Sequence, residues 1–207
     1  MEIEAKYRVT AEALGTVAHL RRLGAYTLAP APAPEQQTNT YYDTADGRLA
    51  AARHGLRVRR VGERSLITLK GPAEVGPDGV HRRAEHEFPG ADPRPAAWPP
   101  GVARELGLAL TGGAPVGPTV TVATERHILH VERAAERVAE LCLDRGVLRA
   151  GGRERPFAEI EIELLPAGQR SDLAAIAAAL GAHVALHPER QSKLQRAMEL
   201  LREASRT

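Results

Sequence analysis

Aromatic residues make up only 3% of this 207-residue chain: two Phe, one Trp and four Tyr. A function built on stacking bases against rows of rings therefore has little to stand on. The single cysteine, Cys142, excludes an internal disulfide, and nothing calls for an oxidising compartment. It lies in the run Leu141-Cys142-Leu143 and reads as a small buried residue. No apolar run reaches the roughly 20 residues of a membrane-spanning helix. The longest, Leu173 to Leu180, is short and alanine-rich. The N-terminus is charged at once and lacks the apolar core of a secretory signal. Net charge is also small: 28 Lys and Arg against 26 Asp and Glu give +2, so there is no global case for nucleic-acid binding. What remains is the expectation of a cytoplasmic protein, long enough for one large domain or two small ones.

The chain does have charge at period two. Glu2, Glu4, Lys6 and Arg8 alternate with Ile3, Ala5 and Tyr7, and Glu159, Glu161 and Glu163 alternate with Ile160 and Ile162. On a β-strand each set falls on one face. Arg57 and Arg59 form a basic pair of the same kind, as do Thr68 with Lys70 and Thr124 with Arg126. His81, Arg83, Glu85 and Glu87 share another face, and Asp144 closes the run Leu141-Cys142-Leu143. Half-buried strands commonly turn a polar face to water. These faces differ in that Thr, Ser and Gln are uncommon beside Glu, Arg and Lys, and in that charge is segregated by sign, 159–163 being wholly acidic and 57–59 wholly basic.

Alternation and β-branched content place strands at about 2–9, 38–43, 55–61, 64–70, 80–88, 118–124, 126–132, 138–144 and 157–165. Thr10 is placed to cap a helix over 11–23 ended by Gly24, and Ser171 one over 172–180 ended by Gly181. Further helices are expected over 94–107 and 189–204. The alternating Ala and Pro of 29–34 favour an extended loop, and Gly112-Gly113 and Gly151-Gly152 mark turns. The expected class is α+β, mainly antiparallel β, with peripheral helices. Closing the sheet into a barrel would remove its edges.

The size of the charge effect is informative. Same-face neighbours on a strand lie roughly 7 Å apart. Two carboxylates at that distance repel by about 0.6 kcal/mol in water and about 2.4 kcal/mol at an effective dielectric near 20. An exposed acidic row is tolerable, whereas an enclosed one needs protons or a cation. Oxygen-only ligands favour a hard ion, Mg2+ or Mn2+. The Arg and Lys rows need a dense anion such as phosphate. Several other residues read as ordinary. Tyr41, Tyr42 and Trp98 suit packing, Arg190, Arg196 and Arg202 suit a solvated helix surface, and most histidines suit the surface. His81 reads as exposed, with phosphate contact the alternative. His183 and His187 lack zinc-site spacing.

Glu2-x-Glu4-x-Lys6 resembles the opening signature of the CYTH superfamily, the triphosphate tunnel metalloenzymes. The likeness continues through Tyr41-Tyr42-Asp43-Thr44, Leu56-Arg57-Val58-Arg59, Leu69-Lys70-Gly71 and Arg83-x-Glu85-x-Glu87. It then takes in Arg126, Asp144, Glu159-x-Glu161 and Ser192-Lys193 in the expected order. The resemblance implies a single domain over 1–207, a closed tunnel of roughly eight antiparallel strands, and a bound triphosphate. It implies metal ligands at Glu2, Glu4, Glu159 and Glu161, with Glu87 and Asp144 adding a ligand or orienting water. Lys6, Arg57, Arg59, Lys70, Arg83, Arg126 and Lys193 become the phosphate binders, and Lys6, Glu87 and Asp144 the residues nearest the chemistry. Glu85 is an alternative to Glu87, and Glu163 either lines the tunnel mouth or is solvated.

The function so implied is divalent-metal-dependent hydrolysis of inorganic triphosphate, with low aromatic content weighing against a thiamine or adenine tail. Thiamine- or nucleoside-triphosphatase, class IV-type adenylyl cyclase and non-catalytic polyphosphate binding are the alternatives. Expected partners are inorganic triphosphate or a triphosphate-bearing small molecule, and a homodimer. Neither a membrane nor a specific nucleic acid is expected. The length is similar to the CYTH part of proteins in which a polyphosphate-associated CHAD domain follows, and 207 residues leave no room for both.

Overall fold

The computed structural model describes residues 2–76 and 80–206. β1 (Glu2–Arg8) leads into α1 (Ala11–Ala18), then β2 (Arg22–Leu23), β3 (Tyr26–Pro30) and β4 (Glu35–Thr44). Next come α2 (Arg48–Ala51), β5 (Gly55–Val61), β6 (Arg64–Lys70), β7 (Glu74–Val75), β8 (Val80–Arg83) and β9 (Glu85–Pro89). A 3-10 turn (Pro95–Ala97) and α3 (Val102–Thr111) precede three long strands, β10 (Val116–Arg133), β11 (Glu136–Ala150) and β12 (Arg153–Leu164). The rest is α4 (Arg170–Gly181), β13 (His187–Pro188) and α5 (Lys193–Ala204).

The pairings are antiparallel and form one sheet with the path β7-β8-β1-β12-β11-β10-β4-β5-β6-β9. Ala84 alone separates β8 from β9. β8 pairs with β1 near one end of the path, and β9 pairs with β6 at the other. The sheet therefore curls until both flanks meet on one short stretch of chain.

Parity along the strands decides what each face meets. On β12, Ile160 and Ile162 are fully buried in an outer core with Leu141 and Leu143 of β11, Leu14 and Val17 of α1, and Leu173, Ile176 and Leu180 of α4. Each such Leu or Ile stabilises the fold by about 1.5–3 kcal/mol. The intervening Glu159, Glu161 and Glu163 face inward. On β10, the inner row Val120, Val122, Thr124 and Arg126 begins apolar and turns polar. α5 docks on the apolar part, setting Ala197 and Leu200 against Val120, Val122, Tyr41 and Leu148. α5 thus lies across one end of the space inside the sheet. Ser192 fixes where it starts: its side chain accepts from Gln195 N at 3.1 Å, while the Gln195 side chain accepts from Ser192 N at 2.7 Å.

Several expected boundaries are corrected. The strands placed at 118–124 and 126–132 are one 18-residue strand, because Glu125 points outward without breaking the alternation. The first helix stops at Ala18, and the segment beyond it pairs as β2 and β3. The Ala-Pro stretch therefore begins as the end of β3, where Pro30 pairs with β10 beyond the reach of β2 and its nitrogen owes no ladder hydrogen bond. The helix expected over 94–107 splits into the 3-10 turn and α3, since Pro99 and Pro100 interrupt it. α4 is capped by Gln169 rather than Ser171. Thr10 does cap α1, accepting from Ala13 N at 3.1 Å. Both Gly pairs sit in left-handed turns, with φ of 59° and 73° at Gly112 and Gly113 and 54° and 74° at Gly151 and Gly152.

Candidate functional site

The inner face of the curled sheet encloses a cavity of about 710 Å³. Glu2, Glu4, Lys6, Arg57, Arg59, Lys70, Arg83, Glu87, Arg126, Asp144, Glu161 and Lys193 all line it. Glu159 lies just behind, fully buried. Register brings these rows together: Lys6 stands opposite Glu161, Glu4 opposite Glu163, and Asp144 opposite Glu159.

The tightest cluster is acidic. Asp144, Glu159 and Glu161 each offer a carboxylate oxygen, and these oxygens lie within 4.8 Å of one another. The Lys193 ammonium sits among them, 2.8 Å from Asp144, 2.9 Å from Glu161 and in contact with Glu159. Lys193 is the first residue of α5, where the helix dipole disfavours a cation, so the three carboxylates hold it there. Arg126 closes the group from β10, 2.6 Å from both Asp144 and Glu161. Burial opposes the charge on Glu161, but Lys193, Arg126 and Lys6 outweigh it and hold its carboxyl well below the usual range. Asp144 is likewise lowered: burial opposes, and Arg126 and Lys193 prevail. For Glu159 burial wins and pushes its carboxyl up, despite Lys193 and Arg196.

A second group joins β1 to the β6 side. Lys70 lies 2.9 Å from Glu2 and 3.1 Å from Glu85. Arg83 pairs with Glu2 and lies 2.8 Å from Glu4, and Lys6 is 3.0 Å from Glu4. Glu2 is held below its ordinary range; burial opposes, and Lys70 and Arg83 outweigh it. The structure therefore gathers Glu159 and Glu161 with Asp144, and sets Glu2 and Glu4 against Lys70, Arg83 and Lys6. Glu163 lines the same wall with its carboxyl pushed up to about 7 by burial and by Glu2, Glu4 and Glu161.

The opposite wall is basic. Arg57 is buried, donates to Thr68 Oγ1 at 3.1 Å and lies 3.5 Å from Glu87, which accepts from Thr68 at 2.8 Å. Arg59 donates to Asn39 Oδ1 at 3.2 Å, and among the described residues it has no ion-pair partner. Burial and the neighbouring Arg57 and Arg126 make its charge harder to keep. A half-buried guanidinium among like charges is a receptor for an anion.

The three inner carboxylates fit a hard cation on the evidence of their own atoms. All donors are oxygen, and an ammonium that contacts all three carboxylates already occupies the space between them.

Two readings change here. Arg196 is not on a solvated helix surface: it is buried, pairing with Glu159 and lying 3.8 Å from Glu189. Its six-residue spacing from Arg190 and Arg202 concealed this, whereas its three-residue spacing from Lys193 would have revealed a shared face. His81 is buried rather than exposed, with Nε2 donating to Glu189 O at 3.1 Å. Its pKa is lowered by burial and then by Lys6. Glu163 lies in the cavity wall, and Glu85 joins Lys70 as well as Arg57. Cys142 is buried as expected, on the inner face opposite Glu161, and burial pushes its thiol up. Trp98 packs as expected, edge-on to Phe88, with Nε1 donating to Asp92 O at 2.9 Å.

Fold and cavity together define an antiparallel cradle with opposed acidic and basic walls. The chain belongs to the CYTH family, whose domain model matches residues 1–198. It is 33% identical over 129 residues to the inorganic triphosphatase of Haemophilus influenzae; the match covers 61% of this chain and 35% of that protein. The chain therefore spans only about a third of that relative's length. Two solved structures share the fold. A Hippeastrum protein, named for adenylyl cyclase and described as having dominant triphosphatase activity, is 21% identical with a TM-score of 0.63, covering 98% of this chain and 96% of its own. A Bacillus halodurans protein named for adenylate cyclase is 22% identical with a TM-score of 0.64, covering 95% and 96%. No helix among the described residues is long and apolar enough to cross a membrane.

Proposed function

We propose that this chain is a divalent-metal-dependent triphosphatase that removes the terminal phosphate of inorganic triphosphate, acting as one domain over residues 1–207 with the curled sheet serving as a closed tunnel. The observation that carries the reading is one cavity with Arg59, which has no ion-pair partner among the described residues, beside Arg57 on one wall, and with Asp144 and Glu161, backed by Glu159, on the other. Membership of the family and the Haemophilus influenzae relative's activity support it.

Arg57, Arg59, Lys70, Arg83 and Arg126 bind phosphoryl oxygens, and Lys6 and Lys193 stand where the basic and acidic walls meet. Glu159, Glu161 and Asp144 hold Mg2+ or Mn2+, with Glu2 and Glu4 extending the acidic wall once Lys70 and Arg83 turn to substrate. The bound ion supplies charge neutralisation on the phosphoryl oxygens. Water attacks the terminal phosphorus in line. Its oxygen forms the new P–O bond as the anhydride bond breaks, and its proton passes to the cavity carboxylate Glu87, while Asp144 orients the water. The basic wall stabilises the charge that grows on the departing pyrophosphate.

Incubation with tripolyphosphate, ATP and thiamine triphosphate, each with Mg2+, Mn2+ or EDTA, tests this. Phosphate release from tripolyphosphate with either metal, absent in EDTA, is expected, as is its loss in Glu161→Gln with an unchanged fold. The dense internal ion pairing favours one second reading, a non-catalytic polyphosphate binder. Tight tripolyphosphate binding without turnover in any mixture would establish that instead.

A further inference from the structure

Arg196 belongs to none of the rows that line the cavity, yet it is buried against the fully buried carboxylate of Glu159. One turn of α5 separates it from Lys193, so the two cations share a helix face. Both lie 5.4 Å from the Phe157 ring, which backs them from β12. Their targets on Glu159 differ. Arg196 donates through Nη2 to Oε2, whereas Lys193 stands at Oε1. Glu159 is wholly buried, and among the described residues Lys193 is the only cation at its Oε1. Glu189 flanks the guanidinium at 3.8 Å and is itself tied down, accepting from Gln191 N at 2.8 Å.

We infer that Arg196 is a positioning residue that clamps one oxygen of Glu159 so that the other faces Asp144 and Glu161 as a cation ligand. The division of labour follows from the geometry. An ion entering between the three carboxylates must displace the Lys193 ammonium, which is then free to meet an anion in the cavity. Glu159 would lose that counter-charge while remaining buried, and Arg196 is the cation that stays. Its grip also stops the carboxylate from turning both oxygens toward Phe157. Partners that orient a metal ligand from behind typically matter 10- to 100-fold in metal affinity, to order of magnitude. The inference rests on the proposed cation site and adds to it a residue that touches neither ion nor substrate.

The test is Mn2+ binding to the intact, substrate-free chain, followed by electron paramagnetic resonance of the free ion. Wild type is expected to bind Mn2+; if it does not, the cation site itself falls, separately from the role of Arg196. If wild type binds, Arg196→Met is expected to weaken Mn2+ binding by about 10-fold or more. Leu200→Ala loosens α5 without touching Glu159. It is expected to lower thermal stability and leave Mn2+ affinity within about 3-fold of wild type, well short of the loss typical of a ligand-orienting partner. Arg196→Met within that same range, or an equal loss in Leu200→Ala, would overturn the inference. Should Arg196→Met fail to fold, Arg196→Lys, which keeps the charge but shortens the reach, decides by the same measurement. Weaker binding supports the clamp, and wild-type affinity overturns it.

Discussion

Replacing Lys193 with Met puts the inner carboxylates to their hardest test. Their oxygens lie within 4.8 Å of one another, and each pair of full charges at that separation repels by about 3.5 kcal/mol at an effective dielectric of 20. Lys193 offsets this from 2.8 and 2.9 Å. Methionine keeps most of the side chain's bulk and leaves Arg126 and Arg196 as the main nearby cations for three buried anions. Losing one partner of a buried ion pair typically costs about 3–5 kcal/mol. Relief of an unfavourable cation at the start of α5 returns only about 0.3–1 kcal/mol, so destabilisation wins. For a chain of this size the net effect corresponds to a melting temperature lower by roughly 5–20 °C in EDTA. Mn2+ should then help the variant more than wild type, because no ammonium competes for the oxygens; at a hundredfold excess over its dissociation constant it adds about 2.7 kcal/mol. Differential scanning calorimetry at pH 7.5, with EDTA and with Mn2+, reads both effects. Wild-type stability of Lys193→Met in EDTA, or equal Mn2+ shifts in the two proteins, would refute the reasoning.

Two further perturbations probe other parts of the wall. The Glu163 carboxyl is pushed up to about 7 from 4.5, so the folded state holds a proton that the unfolded chain has released. That contribution is complete below pH 4.5 and is lost as pH rises through 7. It is worth at most about 3 kcal/mol, and less once partial exposure is allowed for. In EDTA, urea unfolding should show wild type losing about 1–3 kcal/mol relative to Glu163→Gln between pH 5 and pH 8; parallel profiles for the two proteins would count against the burial argument. At Gly146 an added Cβ would lie 2.1 Å from Ala123 O and 2.8 Å from the Phe157 ring that backs Lys193 and Arg196. Gly146→Ala should therefore cost about 1–3 kcal/mol or more, and a melting temperature equal to wild type would show that β10 and β11 yield there at no cost.

Much of the site was legible in the sequence because period-two alternation is a local property. Ile160 and Ile162 had to face a core, so Glu159, Glu161 and Glu163 had to share the other face, and the same logic assigned Arg57 with Arg59 and Glu2 with Glu4. The capping chemistry at Thr10 and the Gly-Gly turns were legible for the same reason. How β1 would meet β12, more than 150 residues further along the chain, is a matter of register that no local pattern encodes. The β11–β12 hairpin, turned at Gly151-Gly152, put Asp144, rather than Glu2 or Glu4, beside Glu159 and Glu161. The docking of α5 through Ala197 and Leu200 then carried Lys193 into the acidic group and buried Arg196, which its sequence neighbours had marked as solvated. Local alternation dictates which charges face inward, and packing in three dimensions dictates which of them neutralise one another, because strand periodicity sets only direction whereas Coulomb energy depends on through-space distance.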